Sequence, residues 1–337
     1  MILIDGSEAG GQVLRTASAL SALTGKPFKI TNIRGARPEP GLKTQHIEGL
    51  KAIADICNAT VNGLELCSEE IEFIPGKIEI KPITINISTA GSIGLVLQSL
   101  SIIAAGLGEH ENIHVDFNGG GTWNQWAPPV IYLKEVFNSF INIFTIEIRQ
   151  DGFYPKGGAK VSATIDRYDM KKIEINESEK LKKIEIYSIA SSHLKRGNVA
   201  DRQAAETKRL LEAKFGVPII VRSEYVESLS PGSGILIVAK TDNSTFGADS
   251  LGDRNKSSED VAKEAVKNFV AELDGSVDRH MADMLLPFMA LSGGSIRTSQ
   301  ITQHIITNIE VIEKFLDVKF VIIGEKGMPG TITVNRL

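Results

Sequence analysis

Cysteine and long hydrophobic runs are scarce in this chain. Only Cys57 and Cys67 are present, and their spacing matches no metal-binding motif, so neither a disulfide framework nor a zinc site is expected. No apolar run approaches the roughly 20 residues that span a bilayer. The N-terminal MILIDGSEAGG also lacks the basic and apolar regions of a signal peptide. We therefore expect a cytoplasmic protein with no membrane partner.

An excess of positive charge is also missing. The net charge of −4 argues against a protein that coats nucleic acid through bulk positive charge. It does not exclude an enzyme that holds one phosphorylated end with a few arginines. The 337 residues, 42% hydrophobic and 23% charged, are ordinary for a globular protein but too many for one usual core. We expect two units, or one core with an insertion.

A recurring order of strands and helices runs through most of the chain. In the first stretch, strands at 2–4 and 28–33 alternate with helices at 11–23 and 43–57, and strands near Thr60 and at 71–74 follow. The order recurs from 83 to about 161, with its second helix predicted at 128–140. It recurs again from 281 to 334, with its second helix predicted at 299–316. Apolar spacing in each stretch predicts the order β-α-β-α-β-β, and thus an α/β fold of the α+β type.

Residues 181–275 break this order with an α/β pattern of their own. Strands are predicted at 184–187, 219–221 and 235–238, and helices at 200–214 and 258–271. We predict that this segment is a small domain inserted into the third repeat. Residues 1–180 and 276–337 would then form one three-repeat catalytic domain.

Two polar segments precede predicted helices in the first repeat. GGQVLR, residues 10–15, follows Glu8, and glycines at a helix start let an anion approach backbone N–H groups. A tight strand-to-helix turn would explain the same glycines. The second segment, residues 32–46, holds Arg34, Arg37, Gln45 and His46. Its arginines match phosphate with paired donors, but a solvated basic loop is an equal alternative.

Two helices near the C-terminus carry histidines. His304 lies near a helix start, beside an apolar stripe that includes Ile305 and Ile309. Burial there would lower the pKa of His304 and keep the imidazole neutral, as a nucleophile requires, although a half-buried structural histidine would look the same. His280 and Asp283 precede another apolar helix. They are candidate ligands, and Asp283 could instead cap that helix.

Read together, these segments resemble the RNA 3′-terminal phosphate cyclase family. The resemblance covers nearly the whole chain through GGQVLR, LSALTGKPF, NIRGARPEPGL with QH, TAGS, GLVLQS, GGGT, APP, GFYPKGG, GADSLGDRNKS, HMADMLLPFMALSGG and HIITNIEVIEKFL. It implies three repeats with four-stranded sheets, each like the C-terminal domain of translation initiation factor 3, and a small inserted domain. It also implies ATP, a divalent metal (Mg²⁺ or Mn²⁺), and an RNA partner with a 3′-phosphate that becomes a 2′,3′-cyclic phosphodiester.

The resemblance also assigns roles to residues of this chain. His304 is implied as the adenylylated histidine and Glu8 as the metal ligand. The implied nucleotide-binding residues are Gln98, Pro128, His280, Met281, Ala282, Asp283 and Met284, with His280 where a tyrosine is usual and Pro128 beside the adenine. The implied phosphate and RNA contacts are Arg15, Arg34, Arg37, Gln45 and His46. Trp123, which follows GGGT, is assigned no role.

Two other functions remain open at this point. A non-catalytic ribosomal-RNA maturation protein of the same family would keep the fold without the nucleophile. An enolpyruvyl transferase-like enzyme would share a related repeat architecture, because fold alone does not fix chemistry. The sequence also leaves open whether the chain forms a homo-oligomer.

Overall fold

Residues 2–74 form a four-stranded sheet with two helices. The computed structural model describes residues 1–8, 10–177 and 179–337. The elements of this first stretch are β1 (Ile2–Asp5), α1 (Gly11–Thr24), β2 (Phe28–Thr31), α2 (Thr44–Cys57), β3 (Thr60–Asn62) and β4 (Ile71–Ile74). The strand order is β1-β2-β4-β3, with β1 and β2 parallel and the other neighbours antiparallel.

The second stretch has the same topology. Its elements are β5 (Ile83–Ser92), α3 (Ile93–Ile103), β6 (Asn112–Gly121), α4 (Val130–Glu135), β7 (Phe144–Gln150) and β8 (Lys160–Asp166). The order β5-β6-β8-β7 repeats the pattern of the first sheet, again with its first two strands parallel. Helix α4 is shorter than predicted, because the chain tightens into a 3₁₀ turn at Phe137–Ser139.

A short strand that the sequence pattern did not reveal opens the third stretch. This is β9 (Ile173–Ile175), and the next elements are β10 (Lys183–Ser191), α5 (Val199–Glu212), β11 (Ile219–Val226), β12 (Ser233–Lys240), β13 (Thr245–Leu251) and α6 (Ser258–Val270). The last elements are α7 (Arg279–Ser292), β14 (Gly294–Thr298), α8 (Gln303–Phe315), β15 (Val318–Ile323) and β16 (Gly330–Arg336). Strand β9 pairs in parallel with β14 in a sheet of order β9-β14-β16-β15, the order of the first two sheets.

The fold is therefore mixed α/β of the α+β type, with four four-stranded mixed sheets. The fourth sheet, β11-β10-β12-β13, lies between β9 and α7 in the chain. The boundaries of the insertion at 181 and 275 remain a prediction. No helix of the described residues is both long enough and apolar enough to cross a membrane.

Helix α1 lies at the centre of the main core. It packs against α2, α3 and α8, and small residues such as Ala17 and Ala19 let these helices approach closely. Aromatic rings join the first sheet to α8: Phe28 packs on Phe73 of the same sheet and meets Phe315 of α8 edge-on, with the Phe28 and Phe315 ring centroids 6.0 Å apart. Each buried phenylalanine contributes about 1.5–3 kcal/mol. The starts of α1, α2 and α8 meet around this core.

Strands β10 and β12 of the fourth sheet are buried on both faces. Because successive side chains of a strand point to opposite faces, Ile184 and Ile186 of β10 pack in a separate cluster with residues of α5 and α6. Tyr187 and Ile189 join the main core instead. The segment is thus held against the second sheet and does not stand apart from it.

Candidate active site

His304 is the second residue of α8. Thr302 caps this helix by accepting a hydrogen bond from the Ile305 N–H at 3.2 Å, and Ile305 and Ile309 are buried beneath it. The imidazole therefore projects from the first turn of a helix that its neighbours hold in place. Loss of solvent lowers the pKa of His304 below its ordinary value; the charge of Asp283 opposes this, and those of Arg15 and Arg37 add to it. This lowered pKa favours the neutral imidazole that a nucleophile requires.

The Gly-rich turn before α1 faces this histidine. A Cβ placed on Gly10 would lie 3.8 Å from Nε2 and Cε1 of His304 and 3.8 Å from Nη2 of Arg37. A side chain at this position would thus occupy the space between the imidazole and the guanidinium. The geometry leaves room at Gly10 for a group that both His304 and Arg37 approach.

His46 lies against Gly11, the residue that follows Gly10 in the same turn. It is buried in the first turn of α2, and a Cβ on Gly11 would collide with its ring. Its Nδ1 accepts a hydrogen bond from the Lys43 N–H at 3.1 Å. Burial, together with the charges of Arg15, Arg34 and Lys43, lowers the pKa of His46 to about 3. A neutral ring whose Nδ1 accepts carries its proton on Nε2, so His46 presents a donor toward Gly11.

The guanidinium of Arg15 and the carboxyl group of Asp283 lie close together beneath His304. Burial lowers the pKa of Arg15 to about 10, which still leaves it charged, and Asp283 favours that charge. Asp283 accepts hydrogen bonds from Gln12 and from Nδ2 of Asn308, the latter at 3.0 Å to Oδ1. Burial raises the pKa of Asp283, while the charges of His304 and Arg15 and these two bonds oppose the rise. The carboxyl group thus lies in one network with the imidazole.

A small cleft adjoins this network between α1, α3, α7 and α8. Its polar and apolar lining includes Gln12, Arg15, Gln98, Asp283, Met284 and Asn308. The Oδ1 atom of Asn308 is buried and has no hydrogen-bond partner among the described residues. A buried acceptor without a partner costs about 1–3 kcal/mol. The cleft therefore has an acceptor available for a donor group of a ligand such as a nucleoside.

Asp278, not Asp283, caps α7. Its carboxylate accepts from the N–H groups of His280 and Met281 at 3.0 and 2.9 Å, and from the Tyr132 hydroxyl at 2.7 Å. The alternative that Asp283 is a helix cap is therefore wrong. Asp283 lies about one turn further along α7, where its carboxyl group accepts hydrogen bonds from Gln12 and Asn308 and does not cap the helix.

The loop between β2 and α2 positions both of its arginines. Arg34 has a left-handed backbone (φ 56°), and its Nη1 donates to the Gly41 carbonyl at 2.9 Å. The Arg37 N–H donates to the Arg34 carbonyl at 2.9 Å, and the Ala36 N–H donates to the Ser7 carbonyl. Arg37 is exposed, and its guanidinium lies near Gly10 and His304. The Arg34 side chain is partly committed to its own loop, so the Arg37 guanidinium is the more available of the two.

Other residues assigned from the resemblance lie further from His304 or are occupied. Gln45 accepts from the Ser92 N–H at 3.1 Å, and Pro128 is buried with its carbonyl facing Gly94 at the start of α3. The side chains of Met281 and Ala282 are fully buried, whereas His280 is exposed at the start of α7. The sequence analysis missed Gln12 and Asn308. Asn308 had a detectable signal, because it lies one helical turn after His304.

A metal ion would have to share its ligands with a substrate here. Among the described residues, no group of three or more His, Cys, Asp and Glu side chains could hold a metal. Glu8 is exposed in the turn that precedes Gly10. One carboxylate suits Mg²⁺, which keeps several waters and binds substrate phosphates. The donor set fits an ion held jointly with a nucleotide, not one enclosed by protein alone.

These features define an α+β protein whose repeated sheets bring helix starts, two arginines and a histidine of lowered pKa together beside one cleft. The family model for RNA 3′-terminal phosphate cyclase matches residues 6–322, and the chain belongs to this family.

Full-length relatives agree with this assignment. The RNA 3′-terminal phosphate cyclase of Thermococcus kodakarensis is 42% identical, over 99% of this chain and 98% of that protein. The protein of the same name from Pyrococcus abyssi is 41% identical, over 100% and 99%. That from Methanopyrus kandleri is 38% identical, over 99% of both chains. The chain is accordingly a ligase-type enzyme.

Proposed function

We propose that this protein is an ATP-dependent RNA 3′-terminal phosphate cyclase that acts through a covalent histidine–AMP intermediate. The observation that carries the proposal is the position of His304. Its neutral ring faces the Gly10 turn and Arg37, and it lies in one network with Asp283 at the edge of the cleft. A nucleophile and nearby cations beside a polar cleft are the parts that nucleotidyl transfer requires.

In the first step, Nε2 of His304 attacks the α-phosphorus of ATP. An N–P bond forms, the bond to the bridging oxygen breaks, and pyrophosphate leaves. The charges of Arg15 and Arg37 both lower the pKa of His304, so both guanidinium groups are close to the imidazole. They would therefore also offset negative charge on the group that His304 receives. A Mg²⁺ or Mn²⁺ ion held by Glu8 would neutralise further charge on the phosphates.

The remaining steps transfer the activation to RNA. An oxygen of the RNA 3′-phosphate attacks the phosphorus of His304–AMP, so the N–P bond breaks and an adenylylated 3′ end forms. The neighbouring ribose 2′-OH then attacks the RNA phosphorus, and AMP leaves as the 2′,3′-cyclic phosphodiester closes. Ring closure needs little from the protein, since a vicinal hydroxyl has a very high effective concentration. The side chains of Arg34 and His46 are near enough to the turn to orient the RNA phosphate.

Two observations weigh against the other functions. His304 is present and its pKa is lowered, which a non-catalytic maturation protein would not need. The enolpyruvyl transferase alternative shares only a related architecture, whereas the family match covers residues 6–322.

Incubation with ATP labelled at the α-phosphate, followed by a denaturing gel, tests the proposal. The wild type should retain label, and ATP labelled at the γ-phosphate should leave none. His304→Ala should abolish labelling, while His110→Asn, which changes an exposed histidine elsewhere, should label like the wild type. Normal labelling of His304→Ala in a folded protein would reject the assignment.

A further inference from the structure

Two aromatic side chains are exposed among the described residues, and all the others are buried or half-buried. Trp126 is 89% exposed and Tyr154 is 81% exposed. Both residues lie at the tips of tight turns, one closed by an Asn124–Ala127 bridge and the other by a Phe153–Gly157 bridge. The constrained turn thus presents the Trp126 ring to solvent.

The two turns are fastened to each other. The Thr122 and Trp123 N–H groups both donate to the Gly152 carbonyl, at 3.0 and 3.3 Å. The Thr122 hydroxyl donates to Asp151 Oδ1 at 2.6 Å. One rigid unit therefore presents both aromatic rings, and we name it the aromatic ledge (residues 122–127 and 151–157).

The ledge is also anchored on strand β12 and the residues just before it. Trp123 is buried against Gly234, and Phe153 is buried against Gly232, so that a Cβ on either glycine would collide with the facing ring. Each exposed aromatic residue thus follows a buried aromatic residue that fixes its turn. This gives a physical role to Trp123, to which the sequence analysis assigned none.

A chain of contacts connects the ledge to the active site. Asn124 Nδ2 donates to the Ala90 carbonyl at 2.6 Å, and Gly157 packs on the backbone at Ala90. Two residues along, the Ser92 N–H donates to Gln45 Oε1 at 3.1 Å. Gln45 precedes His46, whose ring packs on Gly11 beside the Gly10 turn that His304 faces.

The chemistry of the ledge fits single-stranded RNA better than a protein. Its tips carry polar neighbours, Gln125 and Lys156, in place of the apolar patch at the core of a protein interface. Lys156 is exposed and has no carboxylate partner among the described residues. Aromatic rings stack on any unpaired base and a lysine beside them contacts phosphate, which is how proteins hold single strands without reading sequence.

We propose that the aromatic ledge binds the unpaired nucleotides upstream of the RNA 3′ end, with bases stacked on Trp126 and Tyr154. This inference rests on the proposed function, because it places the substrate of the same site. It explains why an acidic chain can hold RNA: stacking supplies the binding that net charge does not.

Tryptophan fluorescence gives a direct test. The chain has two tryptophans, and Trp123 is buried, so a change on RNA addition reports mainly Trp126. An unstructured 12-nucleotide RNA with a 3′-phosphate should quench the emission, and a dinucleotide with a 3′-phosphate should not. Equal signals from both RNAs, or none from either while cyclisation proceeds, would overturn the proposal.

Variants separate binding at the ledge from support of the active site. Trp126→Asn removes the ring and suits the left-handed backbone (φ 72°), and Tyr154→Ala removes the second ring. Each should raise KM for the 12-nucleotide RNA by about 5- to 100-fold and leave KM for the dinucleotide unchanged. Tyr154→Phe should restore the wild-type KM, and Ile323→Ala, which shortens an exposed side chain of another sheet, should have no effect.

Three further outcomes are decisive. Equal losses with both RNAs would show that the ledge supports the site instead of holding RNA. Unchanged RNA binding together with dissociation of an oligomer in Trp126→Asn would assign the ledge to a protein contact. Labelling by α-labelled ATP without RNA should be normal in all ledge variants. If the wild type itself is not labelled by α-labelled ATP, that result would contradict the proposed function and not the role of the ledge.

Discussion

His304 and Arg37 share one space, and their charges are linked. The Arg37 guanidinium disfavours protonation of the imidazole, because two cations would then face the same position beside Gly10. In the proposed reaction, Arg37 would therefore have two effects: it would attract phosphate, and it would favour the neutral form of His304. These effects are separable, since one depends on substrate and the other on pH.

Arg37→Ala should move the acid limb of adenylylation to higher pH. Removal of a nearby cation raises the pKa of His304 toward its ordinary value, so a larger fraction of the ring is protonated at a given acidic pH. The rate of labelling by α-labelled ATP between pH 5 and pH 8, at saturating ATP, measures the shift. The variant should also need more RNA for cyclisation, because a phosphate contact is lost. An unshifted acid limb would show that Arg37 does not act on His304.

Glu8→Ala should raise the metal concentration needed for adenylylation. The described residues around the turn offer no three-residue acidic or histidine cluster, so the loss of one carboxylate is not compensated. RNA binding, measured without ATP, should change less. The matched control is Glu109→Ala, which removes an exposed carboxylate from the loop that precedes β6. Wild-type metal dependence in Glu8→Ala would mean that the ion is held elsewhere.

At the scale of single elements, Asp278 connects three parts of the fold. It caps α7, accepts from Tyr132 of α4, and accepts from the Gly247 N–H of β13 at 2.9 Å. Helix α7 carries Asp283 into the cleft. The position of Asp283 therefore depends on contacts made by the segment between β9 and α7.

Tyr132→Phe tests this connection. The lost hydroxyl leaves the buried carboxylate short of a donor, which should lower the free energy of unfolding by about 1–3 kcal/mol and raise KM for ATP. Tyr168→Phe is the matched control, because that hydroxyl donates to the Lys171 carbonyl at 2.7 Å, away from the cleft. Both variants should be destabilised in urea, but only Tyr132→Phe should change KM for ATP. Equal KM values would limit Asp278 to a structural role.

The regular elements were the part that the sequence predicted best. Apolar periodicity located α1, α2 and α7 to within two or three residues, because each buries a clear stripe. Strand β9 was missed because three residues are too few for a period, and β13 was missed because its small and polar side chains show none. Helix α8 begins at Gln303 and not at 299, since the preceding residues pair with the chain near Lys326.

The candidate site was predicted less completely, for a different reason. His304 lies at a helix start beside a buried stripe, as predicted. The roles of Gln12 and Asn308 depend on the meeting of α1, α7 and α8, which no local pattern contains. The parts assigned to Glu8, Pro128 and the other nucleotide and phosphate ligands stay predictions.

At the scale of the whole molecule, acids are buried where the fourth sheet meets the main core. Burial raises the pKa of Asp249 to about 7, and the charge of Asp278 adds to the rise. The pKa of Asp278 is also raised to about 7, by burial and then by Glu272. An acid whose pKa is raised on folding stabilises the folded state while it is protonated. That contribution is lost as pH rises from about 4 to about 7.

Asp249→Asn should therefore flatten the pH dependence of stability. In the wild type, the free energy of unfolding should fall between pH 5 and pH 8. In the variant this fall should be smaller by about 1–3 kcal/mol. The part of the fall that remains should come from Asp278. Urea unfolding at the two pH values measures this, with the exposed Asp169→Asn as control. Parallel slopes in the wild type and Asp249→Asn would show that Asp249 is ionised in the folded protein.

Strand β9 is synthesised well before β14, the strand with which it pairs. Ile173 pairs with Gly294, about 120 residues later in the chain, and a ribosome needs roughly 6–24 s to make that length. The first two sheets need no residue beyond Asp166 for their own strands. Helices α7 and α8 are made after all strands of the first two sheets, so His304 joins sheets whose strands are already complete. Under the proposed function, a nascent chain therefore gains the capacity to consume ATP only after α8 has been made.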